Sequence, residues 1–559
     1  ARAAADPNVT LPRALPQRRT TRHRARHQRQ QRLLLAIDAF TRVRASPSSH
    51  HLSSSALRPA ESPLPWLPPP NVAVALHCSE PATAHRAHAA PRDLPAIAFN
   101  ADPATALPLA VHTRTVFELP PGDDTLALLR RFAANTTFFR TTRDPERLQR
   151  VVPTPVQRRE PLAVLLQVDT FGTGGLERVV FDLAIALRQQ GCRVGLCAID
   201  GRLDGPLPAQ LQAAGVEFPR LSARDAAGYA ELLTHGNWTT VSAHASTFGA
   251  DVAAARGVPF VQVVHNSYVW FDRETIERYR TADAHTQAYA CVSAEALAYA
   301  DLRLGLDVRK AVVIENGIDL AAARAVPLEQ RAELRRAHGF DDDAFVFLQV
   351  ASLQPAKAHR IALHALARLR QQRPEARLVC LGHTMNPLHA ATLRQDVAAL
   401  GLEQAVVFAG HHDDPRPLYA LADALLLPSF WEGCSLAVWE ALAAGLPLVL
   451  SDVGAARQQL RCGRGEVIAP PFDSLLSIDA TNVDALVHAV DEPFVTRTAT
   501  AMQRVLVATR GCERTAAPLL PPLADRATMA RRHRLLLTWL AGGGAVAGIR
   551  CSLARAGGM

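Results

Sequence analysis

The chain has 559 residues, 48% of them hydrophobic, and a formal charge of +9. That is length for two to four domains of roughly 100–200 residues each, with apolar content enough for large cores, which excludes a globally disordered chain. Twelve arginines against two aspartates put +10 on residues 1–60 and leave −1 for the other 499, so the body carries no bulk charge that would draw a polyanion. Nine scattered cysteines without a C-x-x-C pair exclude a disulfide scaffold or a zinc ribbon and fit ordinary thiols of a reducing compartment. No run of about 18 uncharged apolar residues is present, so no ordinary spanning helix is expected; the nearest, 535–549, is short and glycine-rich. No leader peptide is read after Ala1.

In chain order, residues 1–75 read as a disordered Arg/Pro-rich head, with an Arg/His/Gln run at 18–32 and three prolines at 68–70. A solvated tail is the preferred reading of that head over a tether for nucleic acid or lipid phosphate. Residues 76–160 form an unassigned extension or linker with one helical stretch, 124–134. From 161 the pattern changes to short apolar runs alternating with Ala/Leu-rich helical segments. The first series is 162–168, 193–199, 239–243, 258–264, 288–292 and 311–314; the second is 345–350, 378–381, 406–409, 424–427, 448–450 and 467–469. Continuous apolar strands separated by helices predict parallel sheets covered on both faces. Two series of six predict two doubly wound Rossmann-like domains, 161–330 and 331–523, joined through the strand-free stretch 319–343 and facing a cleft.

Four places carry chemistry. Asp169-Thr-Phe-Gly-Thr-Gly-Gly-Leu-Glu177 follows the first strand and opens a helix near 177–190. Gly174 and Gly175 there allow close backbone approach of a phosphate or sugar oxygen to a helix start, the plainer reading being a tight turn. It is not G-x-G-x-x-G, so no dinucleotide fingerprint is read. Glu432-Gly-Cys-Ser-Leu-Ala-Val-Trp-Glu440 follows the strand 424–427. Glu432 stands before the helix and Glu440 within it, and backbone N–H groups from Gly433 through Cys434 and Ser435 to Leu436 can hold a phosphate. Lys357, one of two lysines in the chain, stands where a strand-end loop opens the next helix, as a point charge for phosphate. His244 and His265 stand at strand ends on the cleft side; for His244 a buried, satisfied imidazole is as good a reading.

Gly174-Gly175-x-Glu177, Val264-His265, Val313-Ile-Glu-Asn-Gly-Ile-Asp319, Lys357, Ala422-Asp-Ala-Leu-Leu-Leu-Pro-Ser429 and the Glu432/Glu440 pair occur in that order. The set resembles the GT-B glycosyltransferases of family 4, the retaining, group 1 type, over about residues 161–541. The resemblance implies a GT-B fold with an N-terminal acceptor domain, a C-terminal nucleotide-sugar domain and a helix, 524–541, that crosses back. It implies that Glu440 binds ribose hydroxyls, Glu432 holds donor-sugar hydroxyls, Lys357 neutralises the diphosphate and His265 orients the donor sugar. Gly174 and Gly175 would approach phosphate or acceptor, and the backbone at Gly382 and Gly410 would face the base. The family carries an arginine a few residues before the lysine, where this chain has Ser352; the resemblance implies either that Arg360 or His359 compensates or that activity is weakened.

The expected activity is therefore retaining transfer of a sugar from a nucleotide-diphosphate-sugar to a glycan, lipid-linked or small acceptor, as in surface polysaccharide or lipopolysaccharide synthesis. No metal or other cofactor and no nucleic acid is expected. The expected location is cytoplasmic, with peripheral contact at the inner face of the membrane. The competing readings are an epimerase or hydrolase of the same fold and a degenerate nucleotide-sugar-binding protein. Asp341-Asp-Asp343 reads as a solvated loop, His411-His412-Asp413-Asp414 as a poor metal site, and Cys434 as a thiol that nothing activates.

Overall fold

The computed structural model describes residues 162–510 and 520–556; the head 1–75, the extension 76–160 and the helix expected at 124–134 lie outside the described residues. The described residues belong to one compact unit, Arg150–Met559. All twelve apolar runs are strands. The first six are β1 (Ala163–Val168), β2 (Arg193–Ala198), β3 (Thr240–His244), β4 (Phe260–Val264), β5 (Ala288–Cys291) and β6 (Ala311–Val313). The second six are β7 (Phe345–Val350), β8 (Ala376–Leu381), β9 (Val406–Gly410), β10 (Ala424–Leu427), β11 (Leu448–Ser451) and β12 (Gly465–Ile468).

They form two parallel sheets, in the orders β2-β1-β3-β4-β5-β6 and β12-β11-β10-β7-β8-β9. Both are doubly wound: the strand order reverses between β1 and β3 in the first sheet and between β7 and β10 in the second. Loops leaving adjacent strands at such a reversal diverge to opposite faces and open a crevice beyond the carboxyl ends, where ligands bind. The central strands are mostly apolar because helices cover both faces; β1, β3, β4, β5 and β10 are buried at every position, their few polar side chains, such as Gln167, Ser242 and His244, included.

The helix Gly175–Gln189 follows β1 and buries Val179, Val180, Leu183, Ala184, Ala186 and Leu187, spaced to fill one face. Its first residue follows Gly174, which provides no side-chain cap, and the Glu177 carboxylate in the first turn takes a backbone hydrogen bond there. Along it lies the helix Arg526–Ala541. Arg526 pairs with Asp182 at 3.0 Å and with Asp319 at 2.8 Å, Gln190 Nε2 donates to the Ala527 carbonyl at 2.9 Å, and Arg534 donates to the Gln190 carbonyl at 2.8 Å. The Ile318 N–H donates to the Ala524 carbonyl and the Arg526 N–H to the Ile318 carbonyl, both at 2.8 Å, so the C-terminal helix is fastened to the segment between the two sheets.

Candidate active site

The second sheet's reversal brings together two of the residues read from the sequence. The loop after β7 is pinned from both sides: Gln349 Nε2 donates to the Lys357 carbonyl at 2.7 Å, and the Phe430 N–H donates to the Ala356 carbonyl at 3.0 Å. Ala358, at φ 53°, turns the chain into the helix His359–Arg370. The loop after β10 carries Glu432 across the crevice, and Lys357 Nζ meets Glu432 Oε1 at 2.7 Å. The two side chains are 19% and 15% exposed, so the pair is shielded from bulk water without leaving the cleft.

Gly433 is required at its position. A Cβ there would fall onto the His265 carbonyl oxygen of the first domain and crowd Val292. The Gly433 carbonyl accepts from Ala455 N–H at 2.9 Å and the Cys434 carbonyl from Asn316 Nδ2 at 2.9 Å, while Glu295 Oε1 accepts the Gly454 N–H. These bonds orient the loop 433–435 ahead of the helix Leu436–Ala443, whose N-cap Ser435 makes no side-chain capping bond. No hydrogen bond to the N–H groups of Gly433, Cys434, Ser435 or Leu436 is found among the described residues. They are an anion cradle at a helix start. The Cys434 side chain takes no part in it: its thiol is buried, faces the Asn316 carbonyl at 3.9 Å and is pushed up to about 12 by burial.

One turn deeper, Glu440 accepts from the Tyr419 hydroxyl at 2.7 Å. Burial raises its pKa, while the Tyr419 bond and then Arg178 of the first domain pull it down. Gly382 and Gly410 close the far side: the Gly382 N–H donates to the Gly410 carbonyl at 2.7 Å, and a Cβ on Gly382, at φ 156°, would strike the Ala351 carbonyl. Lys357, Glu432, Gly382, the last residue of β9 (Gly410) and Glu440 in its helix thus all lie at the carboxyl end of the second sheet.

The first domain contributes the facing wall. His265 Nε2 lies 2.9 Å from His244 Nδ1, and His244 Nε2 lies 3.3 Å from Ser242 Oγ. His244 is 1% exposed and satisfied, as the plainer reading had it, and His265 is the less buried member of the pair. At Gly175 a Cβ would meet nothing, and at Gly174 it would meet only the far end of Glu177. Within the chain, therefore, neither position is held to glycine by packing, and their approach to a ligand stays an expectation.

Burial holds His265 down to about 4, and His359 and His533 down to about 3, so all three stay neutral in the fold. The unfolded chain takes up these protons near pH 6.5 and the folded chain only below about 4. Stability therefore rises with pH across that window and is lost as pH falls from about 6.5 towards 4. A melting series over this range is expected to show a steady fall in Tm, and a flat profile would contradict the neutral assignment.

Compensation for Ser352 by Arg360 or His359 is corrected. Arg360 pairs with Asp396 at 2.7 Å and donates to the His488 carbonyl, and His359 is fully buried with neither ring nitrogen bonded. Ser352 itself accepts from Gln354 Nε2 at 2.9 Å. Asp341–Asp343 are exposed, and His411 meets Asp413 at 3.5 Å on the surface. Among the described residues no three His, Cys, Asp or Glu side chains converge as a metal site would need. Three site neighbours went unassigned in the sequence: Arg178, Glu295 and Asn316, each on the first domain or the segment after β6. Asn316 stood in a quoted motif, but its partner, 118 residues away, carries no local signal.

Two doubly wound sheets that meet over a lysine–carboxylate pair and an uncapped helix start define a GT-B type glycosyltransferase. The chain belongs to that class by sequence as well: residues 330–492 match the family "Glycosyl transferases group 1", and residues 173–322 match "Glycosyltransferase Family 4". It is similar to the D-inositol 3-phosphate glycosyltransferase of Pseudarthrobacter chlorophenolicus, at 25% identity over 56% of this chain and 84% of that one. It is also similar to the lipopolysaccharide core biosynthesis mannosyltransferase LpsB of Rhizobium meliloti, at 29% identity over 29% of this chain and 46% of that one. Among solved structures, Anabaena HepE in complex with UDP superposes with a TM-score of 0.51 at 20% identity, covering 67% of this chain and all of that one. None of these supports an epimerase, a hydrolase or a binding-only protein.

Proposed function

We propose that this glycosyltransferase moves a sugar from a nucleoside-diphosphate sugar to a glycan or lipid-linked acceptor with retention of anomeric configuration and without a metal. The observation that carries it is the Lys357–Glu432 pair at 2.7 Å beside the unpaired N–H groups of 433–436. When the anomeric C–O bond breaks, its electron pair goes to the diphosphate. Lys357 and the N–H cradle neutralise that charge, which is the term a transferase most needs. Glu432 accepts from Lys357 through Oε1 and keeps Oε2 for a donor-sugar hydroxyl; Glu440 accepts from a ribose hydroxyl. The backbone at Gly382 and Gly410 lines the base, His265 orients the donor sugar, and Gly174 and Gly175 face phosphate or acceptor. The acceptor oxygen adds on the face the diphosphate leaves, and its proton passes to the departing phosphate oxygen.

Cys192, Cys197, Cys291, Cys380, Cys434 and Cys462 are free thiols, which supports a reducing, cytoplasmic compartment. No described helix is long and apolar enough to cross a membrane, so contact with a lipid-linked acceptor would be peripheral, at the inner face. The role printed for the LpsB relative supports lipopolysaccharide or surface polysaccharide synthesis as the setting.

A thermal-shift screen with nucleoside diphosphates and their sugars tests the donor assignment, since a ligand that binds the fold raises its melting point by mass action. At least one nucleoside diphosphate is expected to raise Tm in the parent chain and to fail in Glu440→Ala. An equal shift in that variant would remove the ribose role from Glu440.

A further inference from the structure

His244 and His265 leave the first sheet side by side. His244 ends β3, and His265 follows the last residue of β4, the parallel neighbour of β3. Three contacts fix His265. Its backbone N–H donates to the Tyr268 hydroxyl at 3.0 Å, and its carbonyl oxygen occupies the space that a side chain at Gly433 would need. Its Nε2 lies 2.9 Å from His244 Nδ1, with the two rings 5.0 Å apart and inclined at 31°. Behind His244, Ser242 Oγ lies 3.3 Å from His244 Nε2. A chain of three side chains therefore runs from the buried interior of the sheet to the residue that abuts the loop carrying Glu432.

The chemistry of that chain narrows to two arrangements. Both imidazoles are neutral near pH 7: burial holds His265 down to about 4, and burial together with the imidazoles of His265 and His533 holds His244 well below its usual value. The titratable and charged groups facing the pair are the Tyr268 hydroxyl, His533 and, behind His533, Arg532; none is a carboxylate that would favour an imidazolium. A hydrogen bond between two neutral imidazoles needs a single proton between the facing nitrogens, on His244 Nδ1 or on His265 Nε2. Ser242 decides which. It is fully buried and has no other hydrogen-bond partner among the described residues. With the shared proton on His265, His244 would carry its own on Nε2, Ser242 would accept it, and the serine O–H would be buried without an acceptor. With Ser242 donating to His244 Nε2, His244 carries its proton on Nδ1 and donates to His265 Nε2, and every buried donor is used. The one remaining proton, on His265 Nδ1, has no acceptor among the described residues, and that nitrogen is not sealed from solvent.

We propose that Ser242 and His244 are positioning residues for transfer: they hold His265 as the Nδ1–H tautomer, so that it meets the donor sugar as a hydrogen-bond donor to a hydroxyl oxygen and not as a base. Ser242 and His244, 0% and 1% exposed, act only through His265. The bond made by one ring nitrogen sets which nitrogen carries the proton, and here a serine sets it through a second histidine. This positioning role rests on the transfer function proposed above, which places His265 at the donor sugar.

Long-range proton–nitrogen correlation NMR of the full chain, labelled at the histidine nitrogens and held near neutral pH, reads the tautomer directly. The His265 signals are assigned by their loss in His265→Gln. A neutral ring protonated at Nδ1 is expected; a ring protonated at Nε2, or at both nitrogens, would overturn the proposal. In Ser242→Ala nothing sets the direction, so the two tautomers are expected to mix and kcat/KM to fall about three- to tenfold, the scale of one hydrogen bond. His244→Asn keeps an amide donor where Nδ1 stood. It is expected to retain the Nδ1–H tautomer of His265 and to recover most of the kcat/KM that His244→Leu loses. An unmixed Nδ1–H spectrum in Ser242→Ala, or His244→Asn no more active than His244→Leu at equal Tm, would also overturn the proposal. Absence of turnover with every nucleoside-diphosphate sugar would sink the transfer function instead, and the spectrum would still report which nitrogen of His265 is protonated.

Discussion

Lys357→Ala is expected to lower kcat by about 10²–10³-fold while the fold is kept, the loss seen when one preorganised electrostatic group is removed from a site of charge development. The effect belongs at the upper end because no neighbour can substitute: Ser352 is neutral, Arg360 is tied to Asp396 and His359 is buried without a charge. Lys357 also shields Glu432, so its removal leaves that carboxylate facing the incoming diphosphate. Lys357→Arg is expected to recover only part of the rate, because a planar fork does not reproduce a compact ammonium at 2.7 Å from Oε1. Steady-state kinetics on both variants check this, with circular dichroism to confirm folding. A kcat within about threefold of the parent in Lys357→Ala would remove the lysine from the chemistry.

The second large effect lies outside the cleft. Arg532 of the C-terminal helix pairs with Glu315, their side chains 3% and 4% exposed, and also donates to the Val313 carbonyl at 2.7 Å. Glu315 further accepts from Gln458 of the second domain at 3.0 Å, so one buried carboxylate is bonded from both sides of the junction. Arg532→Met leaves that carboxylate buried and unpaired, and removing one partner of a buried pair costs about 3–5 kcal/mol. The double change Arg532→Met, Glu315→Gln is expected to restore a substantial part of the loss, because replacing both charges can be nearly neutral. Urea unfolding of the single and double variants measures both. A single variant as stable as the parent, or a double variant less stable than the single, would contradict a buried charge as the cause.

The strands were legible because a parallel strand covered on both faces reads as a nearly continuous apolar run, and Leu165-Leu166 or Leu425-Leu426-Leu427 shows that without reference to anything else. Lys357, Glu432 and Gly433 were legible for a related reason. Each follows a strand within a few residues, where chain direction alone places it at the ligand-binding end. What the sequence could not show is which loops meet. Asp169, Arg224, Thr247 and Tyr279 share one cavity only because β1 and β3 are neighbours, an order that strand composition does not encode. The Arg532–Glu315 pair spans 217 residues and had no local pattern to announce it. The same limit explains the error at Ser352: Arg360 is close in sequence, but the helix His359–Arg370 turns its side chain outward to Asp396.

Proton NMR of the product formed from an α-linked nucleoside-diphosphate hexose, with excess EDTA present, tests the central claim most directly. An α-configured product appearing at the rate seen without chelator is the predicted result. A β-configured product, or turnover that stops in EDTA and returns with a divalent cation, would contradict metal-free retaining transfer at Lys357 and Glu432.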